Sequence, residues 1–276
     1  MTTINNKHVL ITGGASGIGR LLALRCAGLG ATVTIWDLDA AGGEAVAAEA
    51  TALGCGRARA LACDVSARAQ VAALAGEVLA GSGPVDILVN NAGVVSGREL
   101  LELDDARIER TFAVNALAPF WVTRAFLPAM VAGGSGHVVT VASAAGRMGL
   151  PRMTDYSASK FAAVGFNEAL RLELKRSAPG VKTTIVCPFF IDTGMFEGVK
   201  TRFPLLLPIL RKEDVVERVV KAVQHDRPQV VTPWMVSTLP AMRLLPVGVF
   251  DRLAGFFGVT VAMDEFTGRG GGARAS

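Results

Sequence analysis

The sequence has few of the residues that bind metals or form disulfides. Its 276 residues include four cysteines and three histidines, and no two cysteines form a C-x-x-C pair. Cys26, Cys63 and Cys187 lie within apolar runs, so we expect these thiols to be reduced and buried in the core. The histidines are far apart and lack the spacing of metal ligands. The sequence therefore predicts no metal site.

The sequence also lacks a large excess of charge, a linker and an apolar N-terminus. The formal net charge is +4 and the basic residues are scattered, which gives nucleic-acid binding little support. Hydrophobic residues make up 51% of the chain, which favours one large core and argues against disorder. Residues 1–7 read MTTINNK and contain no apolar segment of a signal peptide or anchor. We therefore expect a cytoplasmic protein with one folded domain.

Apolar β-branched runs alternate with Ala/Leu-rich segments of helical period. This alternation is typical of a parallel sheet covered by helices on both faces, which predicts an α/β, doubly wound, seven-stranded parallel sheet. The predicted strands are residues 7–12, 31–36, 58–63, 86–90, 137–142, 181–187 and 229–232. The predicted helices are residues 17–29, 40–53, 67–81, 104–131, 155–177 and 212–225.

An apolar extension follows the seventh predicted strand. Residues 234–263 are apolar but contain Arg243, Asp251, Arg252 and two prolines, which makes a poor transmembrane span. This segment is expected to pack over the same domain, contact another subunit or lie on a membrane surface. We divide the chain into a domain at 1–233, an extension at 234–265 and a flexible tail at 266–276.

A glycine-rich turn joins the first predicted strand to the first helix and reads TGGASGIG. Only glycines let this turn close tightly and let its backbone approach a pyrophosphate, whose charge is stabilised by the N–H groups at the helix start. The order of strand, glycines and helix therefore predicts a dinucleotide site. Its residues are Gly13, Ser16, Gly17, Ile18 and Gly19.

Acidic and amide residues end the next three strands. Asp37 ends the second strand, where a carboxylate accepts hydrogen bonds from the adenosine ribose and repels a ribose phosphate. Neither Ser16 nor Leu38 supplies a positive charge there, and the nearby Arg20 lies inside a helix. The sequence therefore favours NAD as the cofactor over NADP. Further cofactor contacts are predicted at Asp64, Val65, Asn91, Ala92 and Gly93.

Ser143, Tyr156 and Lys160 form a candidate proton-transfer group. Tyr156 and Lys160 are four residues apart in a predicted helix, so their side chains share one face. A lysine ammonium and a positive nicotinamide ring would favour the phenolate and lower the pKa of Tyr156. Ser143 ends the fifth strand and can donate a hydrogen bond to a substrate oxygen.

Asn115 lies within a predicted helix, four residues before Pro119. Proline has no N–H, so the Asn115 carbonyl loses its usual helical partner. Two interpretations stay open. The helix has a kink that serves packing alone, or the carbonyl holds water beside Lys160 as a path for protons.

These motifs together resemble the short-chain dehydrogenase/reductase family over about residues 5–235. The resemblance implies a Rossmann fold, homodimers or homotetramers, and a catalytic tetrad of Asn115, Ser143, Tyr156 and Lys160, with Lys160 also holding the nicotinamide ribose. It extends the cofactor contacts to Tyr156, Lys160, Pro188, Ile191 and Thr193, the last at the carboxamide. Many members have Pro-Gly after the sixth strand, whereas this chain has Pro188-Phe189.

The segment GVKTTIVCPFFIDTGMFEG, followed by LLLPIL, resembles a narrower branch of retinol and 17β-hydroxysteroid dehydrogenases. The resemblance implies an apolar substrate pocket, and the alternative is that these aromatic residues are ordinary core. The pocket residues would be Phe189, Phe190, Met195 and Phe196. The eukaryotic members carry an N-terminal hydrophobic anchor that residues 1–7 do not show.

The leading hypothesis is an NAD-dependent oxidoreductase that interconverts a lipophilic secondary or allylic alcohol (retinoid, steroid or long-chain type) and its carbonyl compound. An NADPH-dependent reductase of 3-oxoacyl or xenobiotic carbonyl compounds is the second hypothesis, which Asp37 and the apolar extension disfavour. The third is a catalytically silent NAD-binding scaffold at a membrane surface. The complete tetrad argues against it, since a silent protein does not need Tyr156 and Lys160 on one helical face.

Overall fold

The computed structural model describes residues 1–53 and 57–268. Within them, seven parallel strands form one sheet in the order β3-β2-β1-β4-β5-β6-β7, which confirms the predicted doubly wound sheet. The predicted tail lies outside the described residues from position 269 onward. The strands are β1 (His8–Thr12), β2 (Thr32–Asp37), β3 (Ala58–Ala62), β4 (Ile87–Asn90), β5 (Gly136–Val141), β6 (Val181–Pro188) and β7 (Gln229–Thr232).

Helices connect the strands and cover both faces of the sheet. The predicted helix at 104–131 is divided by a π-helical turn at Ala113–Leu117. The helices are α1 (Gly17–Ala27), α2 (Ala40–Ala52), α3 (Arg68–Ser82), α4 (Asp105–Phe112), α5 (Ala118–Ala132), α6 (Thr154–Ser177), α7 (Lys212–Gln224), α8 (Leu239–Met242) and α9 (Val247–Phe256).

The strand order reverses beside β1, which pairs with β2 on one side and β4 on the other. Every residue of β1 and β5 is buried, as expected for strands covered on both faces. The loops that leave β1 and β4 diverge to opposite faces and leave a crevice at the carboxyl ends of the strands. Ligands of doubly wound sheets bind in this crevice.

The C-terminal extension forms short helices that lie on the same domain. Its inner side chains, including Leu239 and Ala254, join a buried apolar cluster with Tyr156, Phe189 and other residues that follow β5 and β6. Side chains on its outer face are exposed, among them Leu244, Val247 and Phe256. The alternatives of a subunit contact and a membrane surface apply to this outer face, and both stay predictions.

One stretch of the described residues is long and apolar enough to cross a membrane by length and composition. It is the 28-residue helical stretch Asp105–Ala132, and half of its apolar window is buried inside the protein. The core helix of a soluble protein meets the same criterion, so this stretch is weak evidence for a membrane span.

A buried histidine joins β5 and β6 to the N-terminal segment. The side chain of His137 is fully buried, with Nε2 2.8 Å from Thr184 Oγ1 and Nδ1 3.1 Å from Thr2 Oγ1. The Thr184 hydroxyl donates to the Arg227 carbonyl at 2.7 Å, and the Thr2 hydroxyl donates to Asp226 Oδ1 at 2.6 Å. Burial lowers the pKa of His137 to about 4, although Asp226 opposes the shift.

We predict that His137 makes the fold sensitive to mild acid. The pKa of His137 is about 4 in the folded protein, whereas a solvent-exposed histidine of the unfolded chain has a pKa of 6.5. The unfolded chain therefore binds the proton more tightly. The free energy of unfolding should therefore fall by roughly 3 kcal/mol as the pH drops from about 6.5 to about 4. Urea unfolding of the parent protein and His137→Gln across this range measures the difference. Parallel pH profiles for the two proteins would contradict the prediction.

Candidate active site

The glycine turn after β1 has the close packing that a bound pyrophosphate requires. Gly13 and Gly17 have positive φ angles of 67° and 57°. A Cβ at Gly19 would overlap the carbonyl oxygen of Gly13. Asn91 pins the turn, because its Nδ2 donates to the carbonyls of Thr12 and Gly13 at 2.9 Å each. The backbone is thus held in a shape that leaves no room for side chains between the strand and α1.

Asp37 lies at the end of β2, where its carboxylate faces the same turn. One oxygen accepts from the Ala15 N–H at 2.8 Å and the other from the Asp39 N–H at 3.0 Å. A carboxylate has about four lone-pair sites, so acceptor capacity is left for ribose hydroxyls. The nearby Arg20 pairs with Glu49 at 2.5 Å. The donor and acceptor set of this turn therefore fits the adenosine half of a nicotinamide dinucleotide.

Arg110 on α4 is a cleft residue that sequence reasoning missed. Its Nη1 lies 2.8 Å and 3.1 Å from the two carboxylate oxygens of Asp64 and 2.6 Å from the Ser66 hydroxyl. Burial raises the pKa of Asp64, but hydrogen bonds from Ser66 and Arg110 outweigh it and leave the pKa lowered. Asp64 thus has an ionic partner on α4 at a position where the sequence predicts a cofactor contact.

Ser143, Tyr156 and Lys160 meet at the carboxyl end of β5. Ser143 caps a short turn at Ala144–Gly146 and accepts a hydrogen bond from the Ala145 N–H at 3.1 Å. Tyr156 and Lys160 lie one turn apart on α6, and both are 4% exposed. Lys160 Nζ lies 5.6 Å from the Tyr156 ring centroid and donates to the Val141 carbonyl at 3.0 Å. A side-chain hydrogen bond joins Tyr156 to Ser143.

The expected fall in the Tyr156 pKa does not occur in the protein alone. Burial raises the pKa of Tyr156 to about 12, and the hydrogen bond with Ser143 opposes this shift. Burial also lowers the pKa of Lys160 to about 8, with partial opposition from Cys187. Loss of water disfavours the charged forms of both groups, and the nicotinamide ring on which the expected fall depends is a further positive charge beside Tyr156.

Asn115 joins three segments around these residues. Its Nδ2 donates to the Val94 carbonyl at 2.9 Å and to the Ser159 hydroxyl at 3.0 Å, while its Oδ1 accepts from the Val94 N–H at 2.9 Å. Ser159 in turn donates to the Tyr156 carbonyl at 2.7 Å. These hydrogen bonds therefore fix the loop after β4, the π-turn and the first turns of α6 relative to one another.

The π-turn explains how the helix accommodates Pro119. The N–H of Ala118 bonds to the carbonyl of Ala113, five residues back, so the helix widens where proline supplies no donor. Asn115 lies in the middle of this turn and is 2% exposed. A kink that serves packing alone and a water path at the Asn115 carbonyl are the two interpretations of this interruption, and both stay predictions.

Asp155, beside Tyr156 in the chain, is a second residue that sequence reasoning missed. It is 4% exposed, and its two carboxylate oxygens accept from Ser96 Oγ and Thr111 Oγ1 at 2.7 Å each. Because Asp155 lies in the first turn of α6, the positive end of the helix dipole also favours its charge. It ties the loop after β4 and helix α4 to the segment that carries Tyr156.

An aromatic wall runs from the Tyr156 ring to the phenylalanine rings that follow β6. The ring centroids of Tyr156 and Phe196 are 6.0 Å apart, those of Phe196 and Phe190 5.2 Å, and those of Phe190 and Phe189 4.6 Å. Each pair is edge-on, a favourable arrangement for aromatic rings. Thr193 and Met195 lie in the loop beyond this wall, which also lines the cleft.

The cleft brings most of the predicted site residues together along one continuous surface. Gly19, Asn115 and Phe190 lie behind that surface and support it. The predicted residues that line the cleft are Gly13, Ser16, Gly17, Ile18, Asp37, Asp64, Val65, Asn91, Ala92, Gly93, Ser143, Tyr156, Lys160, Pro188, Phe189, Ile191, Thr193, Met195 and Phe196. Unpredicted lining comes from Trp36, Leu38, Cys63, Val94, Arg110, Val114, Val141 and Ala142.

The chain belongs to the short-chain dehydrogenase family, whose model matches residues 7–202. It is 43% identical over 268 residues to epidermal retinol dehydrogenase 2 of Mus musculus, covering 96% of this chain and 87% of that protein. It is 44% identical over 246 residues to estradiol 17-beta-dehydrogenase 11 of Macaca fascicularis, covering 88% and 81%. The chain is therefore a nicotinamide-cofactor oxidoreductase that acts on CH–OH groups.

Solved structures share the fold along most of the chain. A short-chain dehydrogenase/reductase from Burkholderia phymatum in complex with NAD superimposes with a TM-score of 0.80 at 29% identity, covering 88% of this chain and 95% of that one. A metagenomic short-chain oxidoreductase in complex with NADP has a TM-score of 0.70 at 31% identity, covering 83% and 97%. Because one of these structures contains NAD and the other NADP, the comparison does not distinguish the two cofactors for this chain.

The arrangement suits proton transfer to or from a hydroxyl oxygen. A nicotinamide ring, when bound, supplies or accepts the hydride. Burial keeps the pKa of Tyr156 at about 12, so its hydroxyl is protonated, and Ser143 lines the same cleft with a hydroxyl that can donate a hydrogen bond. Lys160 lies behind Tyr156, where its charge stabilises a phenolate.

We predict that Tyr156→Phe abolishes proton transfer and preserves the cleft. The change removes the hydroxyl but keeps the ring that packs against Phe196, so turnover should fall by at least about a hundredfold. The dissociation constant of NADH, measured by its fluorescence, should stay within about twofold. Substantial residual turnover would show that another residue carries the proton.

We predict that Asp155→Ala destabilises the protein by about 2 kcal/mol. The change leaves the buried Thr111 hydroxyl and the Ser96 hydroxyl without their acceptor. Thermal and urea unfolding measure the loss. Asp105→Ala removes an exposed carboxylate from the first turn of α4 and is the matched control, which should cost under about 0.5 kcal/mol. Equal losses in the two variants would refute a positioning role for Asp155.

Proposed function

We propose that this protein is an NAD-dependent oxidoreductase that interconverts a lipophilic alcohol of the retinoid, steroid or long-chain type with its carbonyl compound. The proposal rests on the presence of polar and apolar surfaces side by side in one cleft. A polar trio of Ser143, Tyr156 and Lys160 meets a wall of phenylalanine and methionine side chains. An apolar wall beside a few convergent polar groups is typical of a site for a small apolar molecule with one reactive group.

The relatives support the same substrate class. The names of two of them specify retinol and estradiol, which are bulky apolar molecules with a hydroxyl group. Phe189 occupies the position where many family members have glycine. This side of the cleft therefore has a bulkier, more apolar side chain than in those members. Its ring is 8% exposed and lines the cleft, where it offers apolar contact area to a substrate.

Asp37 supports NAD as the cofactor. Its carboxylate is held toward the glycine turn by the N–H groups of Ala15 and Asp39, so a phosphate on the adenosine ribose would meet a fixed negative charge. The two cations that line the cleft are engaged elsewhere, since Arg110 pairs with Asp64 and Lys160 lies beside Tyr156. Neither compensates a ribose phosphate at Asp37.

Turnover with retinol, estradiol and decanol, each with NAD and with NADP, tests the proposal. We expect reduced cofactor to form with NAD and at least one of these alcohols, with a kcat/KM far above that for ethanol. Preference for ethanol would contradict the lipophilic substrate. Activity confined to NADPH and 3-oxoacyl substrates would favour the carbonyl reductase hypothesis.

We predict that Asp37→Asn reduces the preference for NAD over NADP by at least about tenfold. The amide oxygen still accepts a hydrogen bond from the turn, but the charge that repels a phosphate is gone. The ratio of kcat/KM for the two cofactors is the measurement. Asp39→Ala is the control, because Asp39 caps α2 with its side chain and does not line the cleft. Equal or higher efficiency with NADP in the unmodified enzyme would overturn the assignment.

A further inference from the structure

A second cavity lies beside the catalytic cleft, under the C-terminal extension. Helices α8 and α9 and the turns around them supply most of its lining, including Met235, Met242, Phe250 and Ala254. Every residue that lines this distal cavity is apolar. None of the residues assigned above to the cofactor or to proton transfer lines it.

The distal cavity adjoins the catalytic cleft through a single aromatic ring. Phe189 lines both spaces. Ala144, which also lines the distal cavity, directly follows Ser143, which lines the cleft. A molecule whose hydroxyl lies at Ser143 and Tyr156 therefore has the distal cavity directly behind the partition that Phe189 forms.

The chemistry of the distal cavity favours hydrocarbon over water. Its volume is about 40 Å³, which is room for a few methylene-sized groups. Water is poorly held there, because a buried water needs polar partners. Met235 and Met242 on its wall have flexible, polarisable side chains that adapt to the shape of a ligand.

We propose that the distal cavity binds the apolar end of the substrate, and that the C-terminal extension thereby selects alcohols by the length of their hydrocarbon part. This inference rests on the proposed function, since it presumes a lipophilic alcohol at Tyr156. Phe189 lines both spaces, so a hydrocarbon chain that runs from Tyr156 into the distal cavity passes this ring. The extension thus acts in substrate selection while lying outside the catalytic cleft.

The decisive experiment is a series of straight-chain primary alcohols from butanol to dodecanol, with NAD as the cofactor. In the parent enzyme, kcat/KM should rise by about fourfold per methylene until the cavity is filled and then level off. Ala254→Phe fills the cavity, so kcat/KM should fall at least about tenfold for decanol and less than twofold for butanol. Met242→Ala enlarges the cavity and should move the plateau to longer alcohols.

Val247→Phe is the matched control, because Val247 begins the same helix as Ala254 but is 76% exposed. It should leave the whole series unchanged. An equal loss for butanol and decanol in Ala254→Phe, or no loss for either, would overturn the inference. Circular dichroism and thermal unfolding of each variant show whether an equal loss reflects a damaged fold, and the opposite shift expected of Met242→Ala does not depend on Ala254→Phe folding.

Calorimetric binding of decanol separates this inference from the proposed function. In one outcome no alcohol is oxidised, but decanol binds the parent protein and Val247→Phe and binds Ala254→Phe at least tenfold more weakly. That outcome contradicts the proposed reaction and supports the distal cavity as a binding site. If decanol is oxidised with the same chain-length profile by the parent and Ala254→Phe, the reaction stands and the cavity assignment fails.

Discussion

The rest of the site depends on the two hydrogen bonds that join the Asn115 side chain to the backbone of Val94. One amide side chain satisfies both the N–H and the carbonyl of Val94 and also bonds Ser159, one residue before Lys160. It can do so because the π-turn at Ala113–Leu117 lies where α4 passes into α5. π-Helical turns that interrupt α-helices occur frequently at functional sites.

Burial controls the chemistry of the groups that Asn115 positions. Loss of water raises the pKa of Tyr156 and lowers that of Lys160, so the protein alone favours a neutral phenol. A positive charge brought next to the phenol reverses part of this effect, and the cleft has room for such a group along the Gly93 and Lys160 side. We therefore expect bound cofactor to lower the pKa of Tyr156 from its value in the protein alone.

The sheet and the local motifs could be predicted because each is encoded within a short stretch. TGGASGIG requires a tight turn wherever it follows a strand, and Tyr156 and Lys160 share a face because they are four residues apart on a helix. The seven strands were predictable for the same reason, since each is a short apolar run between helical segments.

The remaining features depend on residues that are distant in the chain. Arg110 pairs with Asp64, 46 residues away, and Asp155 bonds Thr111, 44 residues away, so no local pattern predicts either contact. The short helices of the apolar extension form against Phe189 and its neighbours after β6, so no pattern within the extension predicts them. The pKa of Tyr156 in the cofactor-free protein depends on burial, which cannot be inferred from spacing.

Spectroscopic titration of Tyr156 tests the account most directly, because it is the one tyrosine in the sequence. Phenolate absorbance therefore reports this residue alone, and Tyr156→Phe provides the blank. The account predicts no phenolate at pH 9 in the cofactor-free protein, since the pKa of Tyr156 is about 12. Saturating NAD should lower the midpoint by at least about one pH unit, a tenfold shift in the proton equilibrium. A midpoint near the ordinary value of about 10 without NAD, or one that NAD does not move, would contradict the account.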